Sequence, residues 1–142
     1  MKVNRDTIAI RTEKGQEFLD VTTKVQDAVR RSKVRDGVLL ISSLHTTTAL
    51  FVNEFQPALL EDVASVLQKL IPQRHGYLHD DPRYSDCDRG NAHAYLRATL
   101  LGPSITLAIV EGGLLLGQYQ SVIVAELDGP RDRRFQIHII GE

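Results

Sequence analysis

The sequence predicts an α+β fold: a mixed, mostly antiparallel β-sandwich with two to three helices packed on it. Two observations support this prediction. Strand-like apolar segments occur near both ends of the chain, and helical apolar spacing lies between them. The helices are grouped before a closing run of four strand candidates, which is the order expected of an α+β protein rather than of alternating βαβ units.

The first strand is predicted over Thr7–Arg11, where "TIAIR" repeats its apolar residues at every second position. The segment "EFLDVT", which starts at Glu17, is the predicted hairpin partner of this strand. A helix follows, with Thr22 or Thr23 as the candidate N-cap. Its apolar stripe ends before Gly37 and consists of Val25, Ala28 and Val29.

The segments "GVLLISSL" and "TALFVN" are rich in aliphatic residues and predict two buried strands. Pro57 then opens the clearest helix, because proline is tolerated in a first turn and Pro72 follows the last apolar residue. One face of this helix carries Leu59, Leu60, Val63, Val66, Leu67 and Leu70.

The stretch from Pro72 to Asn91 contains few apolar residues and predicts a long loop, of the length usually associated with function or mobility. Asn91 can cap a short helix, "AHAYLRATLL", that ends near Gly102. The four strand candidates that close the chain are "SITLAIV", "GLLLG", "QSVIVAEL" and "RRFQIHII".

Length and composition limit the class of protein. The 142 residues predict one domain, 1–142, with a core of its own. One cysteine, Cys87, excludes an internal disulfide framework and favours a reducing, cytoplasmic location. The N-terminal stretch lacks an apolar segment, so neither a signal peptide nor a membrane span is expected. The net charge of −1 argues against a nucleic-acid partner.

Three of the five histidines, His45, His79 and His93, lie at predicted element boundaries among polar residues. Three neutral imidazoles can hold a divalent ion and leave a fourth position for water or substrate, which predicts a metal site. Zinc suits such ligands best, and magnesium is the alternative. Asp80 or Asp81 could orient an imidazole. The competing interpretation is that each histidine is structural or solvated.

Polar residues near His45 have two interpretations each. Thr46 and Thr47 are either ordinary strand residues, which β-branching favours, or hydroxyls that line a pocket beside His45. Asn53 and Glu54 precede a helix and are either its capping residues or, for Glu54, a general base near a metal-bound water.

Two arginines are candidates for anion binding. Arg97 is four residues from His93, hence on the same helix face, where it could receive an anionic substrate or simply be exposed to solvent. In "AELDGPRDRR", Glu126 and Asp128 precede a Gly-Pro turn and Arg131 follows it. A turn explains the glycine and proline but not the crowding of charge around them.

Several strings resemble those of the YjbQ-like family, also named the secondary thiamine-phosphate synthase enzyme family. They are "SLHTTTALFVNE", "YLHDD", "NAHAYLRATLLGPS", "GGLLLGQYQSVIVAELDGPRDRR" and "IHIIGE", and together they span nearly the whole chain. The resemblance implies a mixed β-sandwich with packed helices, assembled as a homotrimer, with the polar motifs in one pocket.

The resemblance also bears on individual residues. His45, His79 and His93 fall on the family's recurrent histidines, which strengthens the prediction of a metal cluster. Glu126, Asp128 and Arg131 fall on its "E.DGPR" element. The chain departs from the family at Tyr95, where many relatives carry a histidine, and at Tyr119, where tryptophan is frequent.

Two functional hypotheses follow. The first is a metal-dependent enzyme that acts on a small, phosphorylated metabolite, with Glu126 or Glu54 as base and Arg131 or Arg97 as anion clamp. The family's named reaction, thiamine phosphate synthesis, would be its main or side activity. The second is a non-catalytic trimer that binds a metal or a small ligand. Under either hypothesis the candidate ligand-binding residues are Thr46, Thr47, Asn53, Asp80, Arg97 and Asp128. An open coordination position would indicate the enzyme.

Overall fold

Eight strands form two antiparallel sheets in the computed structural model, which describes residues 1–142. The large sheet has the order β1-β8-β3-β5-β6, and the small sheet has the order β2-β7-β4. The strands are β1 (Lys2–Arg11), β2 (Glu17–Asp20), β3 (Gly37–Ser43), β4 (Thr48–Asn53), β5 (Ser104–Val110), β6 (Gly113–Leu114), β7 (Ser121–Glu126) and β8 (Asp132–Gly141).

Three α-helices and one short 3-10 turn complete the chain. The helices are α1 (Thr22–Ser32), α2 (Pro57–Leu70) and α3 (Ala92–Leu101), and the 3-10 turn is Leu78–Asp80. Pro57 occupies the first turn of α2, as its fixed φ favours. No helix combines the length and the apolar character that a bilayer crossing would need.

Two hydrophobic cores lie on opposite sides of the small sheet. The first is enclosed by the inner faces of both sheets and by α1, and its largest side chain is Phe135. The second fills the space between the outer face of the small sheet and helices α2 and α3, where Leu67 packs near Ala98. The small sheet is therefore the middle layer of three, and its strands β4 and β7 contribute residues to both cores.

The predicted fold class is confirmed, since the chain has three helices on two antiparallel sheets. The predicted hairpin of the first two strands is wrong. Strand β1 pairs with β8, while β2 pairs with β7 in the other sheet. Thr12 donates its backbone N–H to Arg131 O, so the pairing of β1 with the β8 side of the chain continues one residue beyond β1. The chain then crosses to the small sheet, where β2 begins.

The predicted helix caps are also corrected. Helix α1 is preceded by Val21, and the carboxylate of Asp20 accepts the N–H of Thr22. Helix α2 is capped by Gln56, whose Oε1 accepts the N–H of Leu59 at 2.6 Å. Asn53 and Glu54 therefore do not cap α2, because Gln56 occupies the cap position and they lie three and two residues before it.

The outer face of the large sheet is not covered by any helix. Val38 in β3 is 48% exposed and Ile140 in β8 is 42% exposed. They lie opposite each other across the two strands, and Val3 in β1 is the next partner in the same row. The prediction of a wholly buried third strand is therefore wrong for one of its faces.

Candidate functional site

A polar cavity of about 390 Å³ lies at the N-terminal end of α3. We call it the α3 cavity. It is formed where the loop before α3 meets the end of β7 and the loop between β1 and β2. Its polar lining consists of Gln16, Gln73, Arg89, Asn91, His93, Arg97 and Asp128. A second cavity, of about 720 Å³, adjoins it on the side of residues 73–90 and shares Gln73, Arg89 and Gly90.

Asp128 is the polar centre of the α3 cavity. Its carboxylate accepts hydrogen bonds from Asn91 Nδ2 at 2.9 Å and from Arg89 at 3.1 and 3.2 Å. Arg131 reaches the same carboxylate at 3.3 Å and also donates to the backbone carbonyl of Asp128. The sequence prediction that these charges belong to one site is therefore supported by their geometry for Asp128 and Arg131.

His93 lies in the first turn of α3, as predicted, and faces the cavity. Its Nδ1 atom is buried and has no hydrogen-bond partner. Burial and the nearby charge of Arg97 hold the pKa of His93 below its usual value, although Asp128 and Asp80 act in the opposite direction. The imidazole is therefore neutral at pH 7, and its buried Nδ1 makes no hydrogen bond within the chain.

Arg97 lies behind His93 and is buried, with only 5% of its surface exposed. The alternative of a solvent-exposed arginine is therefore wrong. Its guanidinium donates to Ile71 O, to Gln16 Oε1 at 2.6 Å and to Gln68 Oε1 at 2.8 Å. All these acceptors are neutral, so a buried positive charge lines the cavity with no carboxylate paired to it.

Asp80 joins the long loop to α3. Its Oδ1 accepts the N–H of Ala92 at 3.0 Å and lies 3.0 Å from Nδ1 of His79. The His79 ring packs against Tyr95 on α3, with ring centroids 4.9 Å apart. His79 thus contributes to docking the loop, and it is not among the residues that line the two cavities.

His45 lies in the turn between β3 and β4, and its Nε2 accepts the backbone N–H of Arg134 at 2.8 Å. Burial and the charge of Arg133 lower its pKa, so the ring is neutral at pH 7. Thr46 is exposed, whereas Thr47 is buried and accepts a hydrogen bond from Arg133 at 2.8 Å. Thr47 therefore belongs to a buried network and not to the lining of the α3 cavity.

Glu126 ends β7 and is fully buried, beside Arg133. The guanidinium of Arg133 donates to both of its oxygens, at 2.8 and 2.6 Å, and Thr12 Oγ1 donates at 2.7 Å. Burial alone would raise the pKa of Glu126, but these hydrogen bonds and that from Asp128 N–H outweigh it and hold the pKa low. A carboxylate engaged in this way is poorly placed to act as the predicted general base.

Asn53 and Glu54 lie at the far end of β4 and line neither cavity. Both are exposed, and their one mutual contact is the hydrogen bond from the Glu54 N–H to Asn53 Oδ1. The structure therefore does not bring the candidate base Glu54, or the candidate ligand Asn53, to the α3 cavity.

The predicted metal ligands do not form a ready site within one chain. No three histidine, cysteine, aspartate or glutamate side chains are placed so that they could hold one ion. His45 Nε2 accepts the backbone N–H of Arg134 and His79 Nδ1 contacts Asp80, so each of these rings keeps one nitrogen without a hydrogen bond in the chain. His93 makes no hydrogen bond through its buried Nδ1. The three imidazoles of a single chain thus do not fit a three-histidine centre as they stand.

Several residues of the site were not predicted from the sequence. Arg89 and Asn91 bind Asp128, although Asn91 was expected only as a helix cap, and Arg133 pairs with Glu126. A signal existed for Arg133: it precedes Phe135, Ile137 and Ile139 at alternate positions, so β8 directs it inward. No comparable pattern marks Arg89, which lies in the irregular loop.

The fold and the site together define an α+β protein with two antiparallel sheets, helices α2 and α3 on one outer face, and a polar ligand-sized cavity at the start of α3. Comparison with known proteins gives the family. The model of the UPF0047 protein YjbQ-like family matches residues 6–142. This chain therefore belongs to the YjbQ-like, UPF0047 family.

Individual relatives agree with this assignment. A UPF0047 protein of Methanothermobacter thermautotrophicus is 37% identical over 142 residues, covering 100% of this chain and 95% of the relative. One from Archaeoglobus fulgidus is 42% identical over 127 residues, covering 89% and 94%. A crystal structure of a YbjQ-like protein of unknown function from Sulfolobus solfataricus superimposes with a TM-score of 0.92 at 33% identity, covering 99% of both chains.

Proposed function

We propose that this protein binds a small, phosphorylated metabolite in the α3 cavity and acts on it with His93 as the acid–base group. The observation that carries the proposal is the buried, unpaired charge of Arg97. It is 5% exposed and has only neutral hydrogen-bond acceptors. Burying an unpaired charge is costly, and an anion in the cavity would supply the missing counter-charge.

The other charges of the cavity point in the same direction. Arg89 and Arg97 are positive, Asp128 is negative and His93 is neutral, so the lining has a net positive charge. Arg89 is half-exposed and already oriented by Asp128. A guanidinium held in this way can turn its remaining N–H groups to a phosphate without a large loss of side-chain freedom.

His93 supplies the proton chemistry of the proposal. A neutral imidazole can donate a proton from one nitrogen and accept one at the other. Its Nδ1 is buried, so Nε2 is the nitrogen that an ester or anhydride oxygen of a phosphate in the positive cavity could reach. Proton transfer by a positioned histidine typically contributes about 10²–10⁴-fold to a rate.

A divalent metal remains the second candidate, because the neutral imidazole of His93, which lines the cavity, would serve as a ligand for zinc. Further ligands would have to come from a rearranged His79 or from a neighbouring copy of the chain. Elemental analysis of purified wild type and of His93→Ala decides this point. About one equivalent of metal per chain in wild type, lost in the variant, would establish a metal-binding protein.

The α3 cavity does not favour thiamine phosphate synthesis as the reaction. Loss of pyrophosphate usually needs magnesium, which prefers oxygen ligands. The one carboxylate of the α3 cavity, Asp128, is already engaged by Arg89, Asn91 and Arg131. A cytoplasmic location stays part of the proposal, since the single cysteine, Cys87, is free and metabolites of this class occur there.

The substitution Gln16→Glu tests the anion proposal. Gln16 Oε1 lies 2.6 Å from Arg97, so a glutamate of the same shape would neutralise the buried charge without emptying the site. Inorganic phosphate, titrated into the protein and followed by two-dimensional NMR, should perturb the first turn of α3 in wild type. In Gln16→Glu we expect its affinity to fall by about tenfold or more.

The matched control is Gln120→Glu, the same chemical change at an exposed glutamine that accepts a hydrogen bond from Gly117. Its phosphate affinity should equal that of wild type. Equal affinities in wild type and Gln16→Glu, or no response of α3 to phosphate, would contradict the proposal.

We also propose that copies of the chain assemble as a homotrimer through the outer face of the large sheet. The support is the row of exposed apolar side chains at Val3, Ile140 and Val38, which no helix covers. Apolar patches of this kind usually mark protein interfaces.

Light scattering should give three times the chain mass of 15.9 kDa for wild type, and the single-chain mass for the double variant Val38→Glu, Ile140→Glu. Val66→Glu, on exposed α2, should stay assembled. The reverse behaviour of the two variants would place the interface on the helices instead.

A further inference from the structure

Glu126 is a glutamate that no ligand in the α3 cavity can touch. It is fully buried, and each of its oxygens already accepts two hydrogen bonds. Oε1 accepts from Thr12 Oγ1 at 2.7 Å and from Arg133 Nε at 2.8 Å. Oε2 accepts from a second nitrogen of Arg133 at 2.6 Å and from the backbone N–H of Asp128 at 3.2 Å.

The last of these contacts connects Glu126 to the cavity. It holds the backbone at the start of the turn that follows β7. Thr12 holds the end of the same turn, since its Oγ1 accepts the backbone N–H of Arg131 at 2.9 Å while donating to Glu126. The carboxylate and the hydroxyl thus fix Asp128 and Arg131 at both ends of the turn.

Gly129, between them, shows how closely the turn is seated. A Cβ atom at this position would lie 2.9 Å from both Glu126 Cγ and Thr12 Oγ1, and 2.3 Å from the carbonyl oxygen of Lys14. Real Cβ atoms do not approach other atoms this closely. The backbone of the turn is therefore in direct contact with the side chains of Glu126 and Thr12.

The position of this turn determines where the charged groups of the cavity wall lie. The Asp128 side chain, 16% exposed, gathers Arg89, Asn91 and Arg131 around one carboxylate. A shift of the Asp128 backbone would therefore move every one of these donors. Displacements of about 1 Å in a binding site are enough to cost a large part of its activity.

We infer that Glu126 is a positioning residue: together with Thr12 and Arg133 it fixes the turn that carries Asp128, and so sets the positions of Arg89 and Arg131 for the anion. This inference rests on the proposed function for its effect on binding. Glutamine cannot replace the carboxylate, because its amide would turn an N–H₂ group toward one of the N–H donors that Glu126 now accepts from.

The test compares Glu126→Gln, Thr12→Val and Thr12→Ser with wild type, using inorganic phosphate as the probe. We expect phosphate affinity to fall by about tenfold in Glu126→Gln and in Thr12→Val, measured well below each unfolding transition. Serine keeps the hydroxyl, so Thr12→Ser should restore most of the affinity lost in Thr12→Val. Asp132→Asn, at an exposed carboxylate in the same stretch, is the control and should bind as wild type does.

Amide hydrogen exchange supplies a second readout that does not depend on a ligand. The N–H groups of Asp128 and Arg131 should exchange at least about tenfold faster in Glu126→Gln, while the amides of α1 keep their protection. A variant that is less stable overall, but binds phosphate as wild type does and protects these two amides, would overturn the inference.

Failure of the proposed function would look different. In that case wild type itself would not bind phosphate, and Gln16→Glu would have no effect. The exchange of the Asp128 and Arg131 amides would then decide the positioning role: unchanged exchange in Glu126→Gln refutes it, and faster exchange confirms it.

Discussion

Replacing Arg133 with methionine is expected to lower the free energy of unfolding by about 3–5 kcal/mol. Methionine replaces the aliphatic part of the arginine side chain but leaves the carboxylate of Glu126 buried without its partner. Arg133 is 4% exposed and Glu126 is fully buried, so water cannot replace the lost hydrogen bonds. Urea denaturation at pH 7, followed by circular dichroism, measures the change.

The contribution of the Glu126–Arg133 pair to the free energy of unfolding should depend on pH. Burial raises the pKa of Glu126, but its hydrogen bonds lower that pKa by a larger amount. The pKa of Glu126 is therefore lower in the folded state than in the unfolded state. The stabilisation is therefore fully present above the unfolded pKa and is lost as the pH falls toward the folded pKa. In Arg133→Met the carboxylate of Glu126 loses its partner. The difference in free energy of unfolding between this variant and wild type should therefore become smaller at acidic pH.

Arg134→Met is the control for this substitution. The Arg134 side chain is exposed, and its contact with His45 is made by the backbone, which the substitution leaves in place. Its stability should stay within about 0.5 kcal/mol of wild type. A similar small effect at Arg133 would mean that the buried pair contributes no net stability.

Phe135→Ala should lower the free energy of unfolding by about 3–5 kcal/mol through loss of burial and creation of a cavity. Phe135 has no exposed surface and is the largest side chain of the core between the two sheets. Its strand also carries Arg133 and pairs with both β1 and β3. Urea denaturation should show a lower midpoint with an unchanged slope, because the folded state stays compact.

Tyr119→Ala provides the comparison for Phe135→Ala. It removes a similar aromatic ring from a position that is 66% exposed. We expect a change of no more than about 0.5 kcal/mol. Equal losses at the two positions would contradict the assignment of Phe135 to the centre of the core.

Much of the fold could be predicted because the signals are local. Pro57 and the apolar spacing after it define α2, and alternation defines β8. Strand partners were harder to predict. The short segment between β1 and β2 contains Gly15 and resembles a hairpin turn, yet the partners of these strands, β8 and β7, lie more than 100 residues away. Alternation specifies which face of a strand is buried but not which strand lies beside it.

In the site, too, local features could be predicted from the sequence and contacts between distant residues could not. His93 and Asp128 could be recognised as candidates from their residue types and from the elements that bear them. The pairing of Glu126 with Arg133 and Thr12 requires β7, β8 and the residue that follows β1 to meet at one point, which no local pattern encodes. The same dependence on distant parts of the chain explains why three histidines with suitable chemistry do not meet in one chain.

Strand β7 is buried on both faces, so the two walls of the α3 cavity should differ in how readily they open locally. The wall that carries Asp128 extends from a strand held between two cores, and such strands open only at a large fraction of the global unfolding free energy. The opposite wall, residues 72–90, contributes no side chain to either core. If a phosphorylated ligand binds in the α3 cavity as proposed, we expect residues 72–90 to move during its entry and release while the wall that carries Asp128 keeps its geometry.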